Sequence, residues 1–261
     1  MMRKRLPVTI DEALDALAAS RLGAALKPLT LLLNRNSELS LYSEQTRMLS
    51  LAFKYVESEG VAGDYAEFGV WMGRTFIEAW RVAAKYAVPR RFFAFDSFEG
   101  LPELDARDQG GPFTTGQFRH SRAEFEARLR RAHMPSSAAR IIEGRFEQTL
   151  LEPERIGLDH VAVAWIDCDL YASTVPVLDY LTPRLAPGSV LIFDDWFTFR
   201  ASPGHGEMRA CAEWLEHNPG VMLTPWRQFH FAGQSFIVQR VPGRTLVTPT
   251  DPRRPPRGPD V

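Results

Sequence analysis

The pattern of apolar and polar positions changes character once along the chain. Up to about residue 60 the apolar positions recur at helical spacing. Asp11 to Leu22 carries Ala13, Leu14, Leu17 and Ala18, and Tyr42 to Val56 carries Leu49, Ala52, Phe53 and Val56. Asn34 to Ser40 is a polar break between these predicted helices, and Ser43 with Thr46 and Arg47 reads as a helix start. From about residue 62 short apolar runs alternate with helix-length segments. Strands are predicted at Tyr65–Val70, Arg91–Asp96, Ala138–Glu143, Val161–Asp167 and Ser189–Asp194. Helices are predicted at Thr75–Ala87 and over about 121–132, 174–185 and 206–217. The runs VAVAWID and SVLIFD are apolar on both faces, as strands inside a parallel sheet must be. Repeated units of this kind predict an α/β fold with a doubly wound sheet.

The C-terminal end breaks the alternation. Met222–Trp226 and Ser235–Arg240 are strand-like, with no helix-length segment between them. They can only form a hairpin, so one strand runs antiparallel. Residues 242–261 are rich in proline and charge, and read as an extended or disordered tail. Residues 101–120 are glycine-rich and polar and read as a long loop, which in a compact domain is usually functional or mobile.

Composition narrows the field. Hydrophobic residues make up 45% and charged residues 24% of the 261, so the chain is globular rather than disordered. The formal net charge of -1 gives no bulk attraction to nucleic acid or to an anionic membrane, and neither is expected as a partner. Two cysteines, Cys168 and Cys211, exclude a disulfide framework and a thiolate-rich metal site. The basic start MMRKR is followed by Pro7, Asp11, Glu12 and Asp15, so no leader-like apolar stretch forms, and Leu29–Leu33 is too short to span a bilayer. The expected compartment is the cytoplasm.

Candidate chemistry gathers at predicted strand ends, where open α/β sheets bind ligands. After the first strand, Gly69 and Gly73 allow a tight turn, and the helix start at Arg74 or Thr75 offers free N–H groups. The spacing is not that of the dinucleotide motif, and a βα turn without a ligand is the plainer alternative. Asp96, ending the second strand, suits ribose hydroxyls; its alternative is a helix cap. Asp167 and Asp169 follow one strand, Asp194 and Asp195 the next. Such acids repel one another unless a cation compensates them, and hard oxygen ligands suit Mg²⁺, Mn²⁺ or Ca²⁺. Asp167, Asp194 and Asp195 are the expected ligands, with Asp169 turned away. The alternative is that they cap helices or pair with arginines such as Arg200. Cys168, between two acids, reads as a buried filler rather than a nucleophile. Trp165 and Phe193 read as core.

The segments YAEFGVWMGRT, FDSFEGLPE, EGRFEQTL, WIDCDLYAST and PGSVLIFDDW occur in that order. Together they resemble the macrocin O-methyltransferase family, over roughly residues 38–240. The resemblance implies a class I methyltransferase sheet of seven strands with the last antiparallel. It implies a helical lid region over 1–60, the methyltransferase domain over 61–241 and a Pro-rich tail over 242–261. It implies S-adenosyl-L-methionine as methyl donor and Mg²⁺ (or Mn²⁺) as metal, a hydroxyl on the sugar of a natural product or glycan as acceptor, and a homo-oligomer.

Residue by residue, it puts Glu67, Gly69, Gly73 and Thr75 at the methionine end of the cofactor, Asp96 on the ribose, and Ser97 and Phe98 beside the adenosine. Gly144, Arg145 and Phe146 would flank the adenine, and Asp167, Asp194 and Asp195 would bind the ion. The lid around Tyr42 to Met48, and Trp196 after the paired aspartates, would meet the acceptor. Trp196-Phe197-Thr198-Phe199-Arg200 and the loop 101–120 depart from the family pattern, both where acceptor recognition is expected.

No lysine follows Lys85, so a lysine base on the metal side is absent. Asp167 itself is the first candidate to take the hydroxyl proton, His205 in ASPGHGE the second, and His230 a weaker third. Three other readings compete. Asp167-Cys168-Asp169 matches the D-x-D pattern of metal-dependent glycosyltransferases. A scaffold could keep the fold without activity. The aromatics Trp196, Phe197, Phe199 and Trp226 would suit a catechol or phenol acceptor.

Overall fold

The computed structural model describes residues 38–86 and 90–243. The expected helix at Asp11–Leu22, the break over 34–37 and the tail beyond residue 243 lie outside the described residues. The chain divides into two compact units, residues 1–45 and 46–261.

Among the described residues, seven strands form one sheet: β1 (Asp64–Phe68), β2 (Phe92–Asp96), β3 (Ala139–Glu143), β4 (Val161–Ile166), β5 (Leu185–Phe193), β6 (Val221–Phe229) and β7 (Gly233–Arg240). Their order is β3-β2-β1-β4-β5-β7-β6. The first five pair in parallel, and β7 runs antiparallel to both β5 and β6. This is the sheet that the alternating pattern and the C-terminal hairpin predict.

Strand periodicity sorts the core into two layers, because successive side chains point to opposite faces. Tyr65, Phe92, Ala94, Val163, Trp165, Val190 and Ile192 face one side. Ala66, Phe68, Phe93, Phe95, Ala164, Ile166, Leu191 and Phe193 face the other. On the first side they meet Met48, Leu49, Ala52, Phe53 and Val56 of α1 (Glu38–Ser58), Phe76, Ala79 and Val82 of α2 (Arg74–Ala83), and Phe125 and Leu129 of α3 (Arg122–Arg131). Two short helices follow β3, α4 (Phe146–Thr149) and α5 (Pro153–Ile156). The second side is covered by α6 (Tyr171–Leu181) through Val177, Leu178 and Leu181, and by α7 (Gly206–His217) through Ala210, Cys211 and Trp214. Trp165 and Phe193 are fully buried, as expected of core residues. No helix among the described residues is long and apolar enough to cross a membrane.

Several element boundaries differ from the sequence reading. Helix α1 begins at Glu38, inside the expected polar break, and runs through Ser43 without a start there. Strand β5 begins at Leu185 rather than Ser189, with a register irregularity against β4 around Ala186–Ser189 that accommodates Pro187.

Helix α6 begins at Tyr171, three residues before the expected start. Its preceding residue, Leu170, offers no side-chain cap. The cap comes from Asp108 in the loop 101–120, whose Oδ1 accepts from the Tyr171 N–H at 2.6 Å and whose Oδ2 accepts from the Ala172 N–H at 3.2 Å. Asp108 is buried, so those two N–H groups have little access to water once it is gone. Asp108→Ala should lower stability by about 1–3 kcal/mol, read as a shift of the urea midpoint at unchanged slope. An unchanged midpoint would mean that the loop does not hold the helix start.

Candidate active site

The first strand-end turn is built around two glycines. Gly69 has φ +85° and a Cβ there would collide with the Asp167 carbonyl oxygen; Gly73 has φ +74° and a Cβ there would meet the Phe125 ring. Both positions therefore need glycine for conformation and for close approach. Gly73 caps α2 with no side chain, and Glu67 supplies the missing acceptor by taking the Phe76 N–H. The Glu67 carboxyl also accepts from the Tyr65 hydroxyl at 2.5 Å. Burial is the main reason its carboxyl lies well above the ordinary range. Thr75 stands in the first turn of α2.

Asp96 ties the next turn to the first. Its Oδ2 accepts from the N–H groups of Val70 and Trp71, each at 2.9 Å, and its Oδ1 accepts from Phe98 N–H at 2.7 Å. A carboxylate has about four acceptor positions, so a hydroxyl can still be taken beside these three. Ser97 Oγ accepts from Glu99 N–H, and the Phe98 ring lies in the core against Phe125. At the end of β3, Gly144 donates its N–H to the Asp96 carbonyl. Arg145 pairs with Glu99 at 3.1 Å, and Phe146 meets Phe68 edge-on. The expected cofactor residues from β1, β2 and β3 are thus neighbours along one edge of the sheet.

Asp167 follows β4, and Asp194 and Asp195 follow β5. Carboxylate oxygens of all three lie within 4.8 Å of one another. Asp169 does not turn away. Its backbone is left-handed at φ +60°, its side chain is buried, and it hydrogen-bonds to Asp195. Nothing local to WIDCDLY marks this inward turn, because backbone handedness at a non-glycine residue leaves no local signature.

A fifth acid, Glu207 in the first turn of α7, escaped the sequence reading. It is fully buried, and it straps the two strand-end loops together by accepting from Cys168 N–H at 3.2 Å and Asp195 N–H at 3.0 Å. An acid in a helix's first turn ordinarily reads as a dipole partner at the surface.

The electrostatics follow from this crowding. Burial first, then Asp194 and the other acids, hold the Asp167 carboxyl well above its ordinary range. Asp169 is raised in the same way by burial and Asp195. Asp195 is pushed up to about 7, by burial and then by Asp194. Burial and Glu207 raise the Cys168 thiol, consistent with a filler rather than a nucleophile. The donor set suits a hard divalent cation: oxygen ligands only, close together, and costly to ionise without a counter-charge.

Two further expected residues have packing partners of their own. The His205 ring stacks on Phe199 at 5.5 Å and its Nδ1 meets Ser202 Oγ at 2.9 Å. The histidine that reaches the acids is His230, whose Nε2 lies 3.1 Å from Asp194 Oδ1. The signal for it was topological, since the hairpin between β6 and β7 returns beside the end of β5. The Trp196 ring packs on Phe193 and Phe236, at 5.0 and 4.8 Å. Tyr42 lies in the first turns of α1. The loop 101–120 reaches the segment after the paired aspartates: Phe113 meets Phe199 at 5.6 Å, and both pack with Leu170. Phe199, Arg200 and Ala201 are all left-handed there.

Comparison with known proteins agrees with this arrangement. A tetracenomycin-C derivative 4'-O-methyltransferase (substrate 8-demethyl-8-(2,3-dimethoxy-alpha-L-rhamnosyl)-tetracenomycin-C) from Streptomyces olivaceus is 32% identical over 155 residues, 57% of this chain and 58% of that protein. Mycinamicin III 3''-O-methyltransferase from Micromonospora griseorubida is 30% identical over 147 residues, 53% of this chain and 57% of that protein. The chain thus spans a little under three fifths of the length of these curated relatives. Among solved structures, CalS11, a calicheamicin methyltransferase, superposes with a TM-score of 0.63 at 23% identity, covering 89% of this chain and 94% of that one. The O-methyltransferase NovP gives 0.60 at 22% identity, covering 74% and 79%. These likenesses bear on the fold. The sequence model of the macrocin O-methyltransferase (TylF) family matches residues 42–212, which carry the glycine turn, Asp96 and all five acids. With the sheet order and the strand-end chemistry in agreement, the chain belongs to the macrocin O-methyltransferase family.

Proposed function

We propose that this protein transfers a methyl group from S-adenosyl-L-methionine to a sugar hydroxyl of a glycosylated natural product, with Mg²⁺ or Mn²⁺ held by Asp167, Asp194 and Asp195. The observation that carries the reading is the convergence of these three carboxylates within 4.8 Å at the ends of adjoining strands. The rhamnosyl-bearing substrate in the name of the first relative supports the acceptor class.

The divalent ion, when bound, supplies Lewis acidity that lowers the pKa of a sugar hydroxyl. The chain's own groups do the rest. The Gly69 turn leaves backbone space for the methionine portion of the donor, and Asp96 takes ribose hydroxyls while its backbone partners hold it still. Gly144, Arg145 and Phe146 flank the adenine from the end of β3. Asp167 accepts the hydroxyl proton, its backbone lying against the Phe68–Gly69 turn at the methionine end of the donor. Positioning then carries much of the rate, because the transfer is an in-line displacement that needs the acceptor oxygen aligned with the methyl carbon.

The catechol alternative draws no support from Trp196, whose ring is engaged with Phe193 and Phe236. The test is a methyl-transfer assay on a panel of rhamnosides, deoxysugar glycosides and catechols, with Mg²⁺ or with chelator. Glycosides should be methylated, and only with the metal. Methylation of catechols alone would overturn the sugar assignment, and an undiminished rate in chelator would overturn the metal.

A further inference from the structure

His230 occupies the tip of the hairpin between β6 and β7. Strand β7 pairs antiparallel with β5, Gln234 opposite Phe193, so this tip lies beside the residue that follows β5, Asp194. The His230 side chain is 4% exposed. Its Nδ1 accepts from two backbone N–H groups of its own turn, Ala232 at 3.0 Å and Gly233 at 3.3 Å. An imidazole nitrogen that accepts carries no proton, so the ring proton sits on Nε2. From there it donates to Asp194 Oδ1 across 3.1 Å.

The turn fixes the ring as well as the tautomer. The backbone at His230 is left-handed, φ +37°, and the ring stands edge-on against Phe229 at 4.5 Å. Phe229 is itself buried against Trp165 at 5.3 Å. A Cβ at Gly233 would collide with the Phe229 ring, so the turn has little freedom to shift. The N–H that meets Asp194 is therefore presented by a preorganised frame.

We propose that His230 is the positioning residue of the cation site: its Nε2–H fixes the carboxylate of Asp194 in the orientation a divalent ion requires. The inference rests on the metal reading above and adds to it a residue on the one antiparallel hairpin of the sheet. Its lone pair on Nδ1 is taken by the turn and its Nε2 carries the proton. It therefore acts through Asp194, as a donor, and is neither a ligand nor a proton acceptor. Outer partners of this kind set the orientation of metal ligands, and their loss costs about 10–100-fold in metal affinity.

Two substitutions separate the halves of the ring. In His230→Asn the amide oxygen stands near the Nδ1 position and keeps the turn's acceptor, while the donor to Asp194 is lost. In His230→Gln the amide nitrogen reaches the Nε2 position and restores the donor. Mn²⁺ affinity of the full chain, measured by calorimetry or by electron paramagnetic resonance, is the readout, with S-adenosylmethionine affinity and metal-free melting temperature as controls. His230→Asn should weaken Mn²⁺ binding by about 10–100-fold with the controls little changed, and His230→Gln should recover most of the loss. Wild-type affinity in His230→Asn, or equal losses in both variants, would overturn the positioning role while leaving the metal site standing. A wild-type chain that binds Mn²⁺ no better than Asp194→Asn would overturn the metal reading, and this inference with it.

Discussion

Asp194→Ala should reduce methyl transfer by about 10²–10³-fold or more, the scale of losing one preorganised electrostatic partner of a reaction centre. The metal-free protein should melt no lower than the wild type. The two effects differ in sign because Asp194 does different things in the two states. With the ion bound, it is one of three carboxylates that hold it. Without the ion, it is a negative neighbour that helps push the Asp167 and Asp195 carboxyls upward. Removing it relieves that repulsion, and the relief is expected to outweigh the lost acceptor for the His230 Nε2–H. Single-turnover rates in Mg²⁺ and a thermal melt in chelator read the two effects separately. A variant that keeps its rate would remove Asp194 from the reaction; one that melts far below the wild type would make it a structural residue.

Metal-free protein should lose stability as the pH rises, and Mg²⁺ should restore more of it at high pH than at low. The folded carboxyls are raised: Asp195 to about 7, and Asp167, Asp169 and Glu207 well above the ordinary range. Between the unfolded value near 4 and the folded values, the native state binds more protons than the unfolded chain, so stability falls as pH climbs through that window. Each unit of displacement is worth about 1.4 kcal/mol, and each kcal/mol moves the melting temperature by about 2–4 °C in a domain of this size. The ion must displace those protons to bind, so its stabilisation grows with pH. Scanning calorimetry at about pH 5 and about pH 8, with Mg²⁺ or chelator, measures this linkage. Stability that rose with pH in chelator would mean that the acids are compensated from within the protein, and would end the case for a cation.

The sheet was legible because burial on two faces leaves a trace that needs no long-range knowledge. Tyr65 and Glu67 face one way, Ala66 and Phe68 the other, and the remaining strands repeat that rule. The acids at the ends of β4 and β5 were legible for a related reason, since chain order alone put them at neighbouring strand ends. What stayed hidden were contacts made at a distance. Asp108 caps a helix that begins far along the chain, so that start could not be read from DLYAST. Glu207 joins two loops across the sheet's end. The pattern favoured His205, near Asp195 in sequence, whereas His230 is brought in by a strand that doubles back. Residues two apart diverge once a strand ends, which points Asp169 outward, and its left-handed backbone reverses that.

The anchoring of the long loop has a consequence for redirecting the proposed methyl transfer toward other acceptors. Asp108 is bonded to the N–H groups of Tyr171 and Ala172, two and three positions beyond the buried Asp169. A graft of residues 101–120 from a relative therefore cannot be treated as a portable cassette. A transplant that dropped this one carboxylate would unseat the first turn of the helix leading out of the acidic cluster, and the new specificity would arrive with a disordered floor beneath it. Variation confined to the stretch beyond Asp108, with that anchor and its neighbour Arg107 retained, leaves the floor in place.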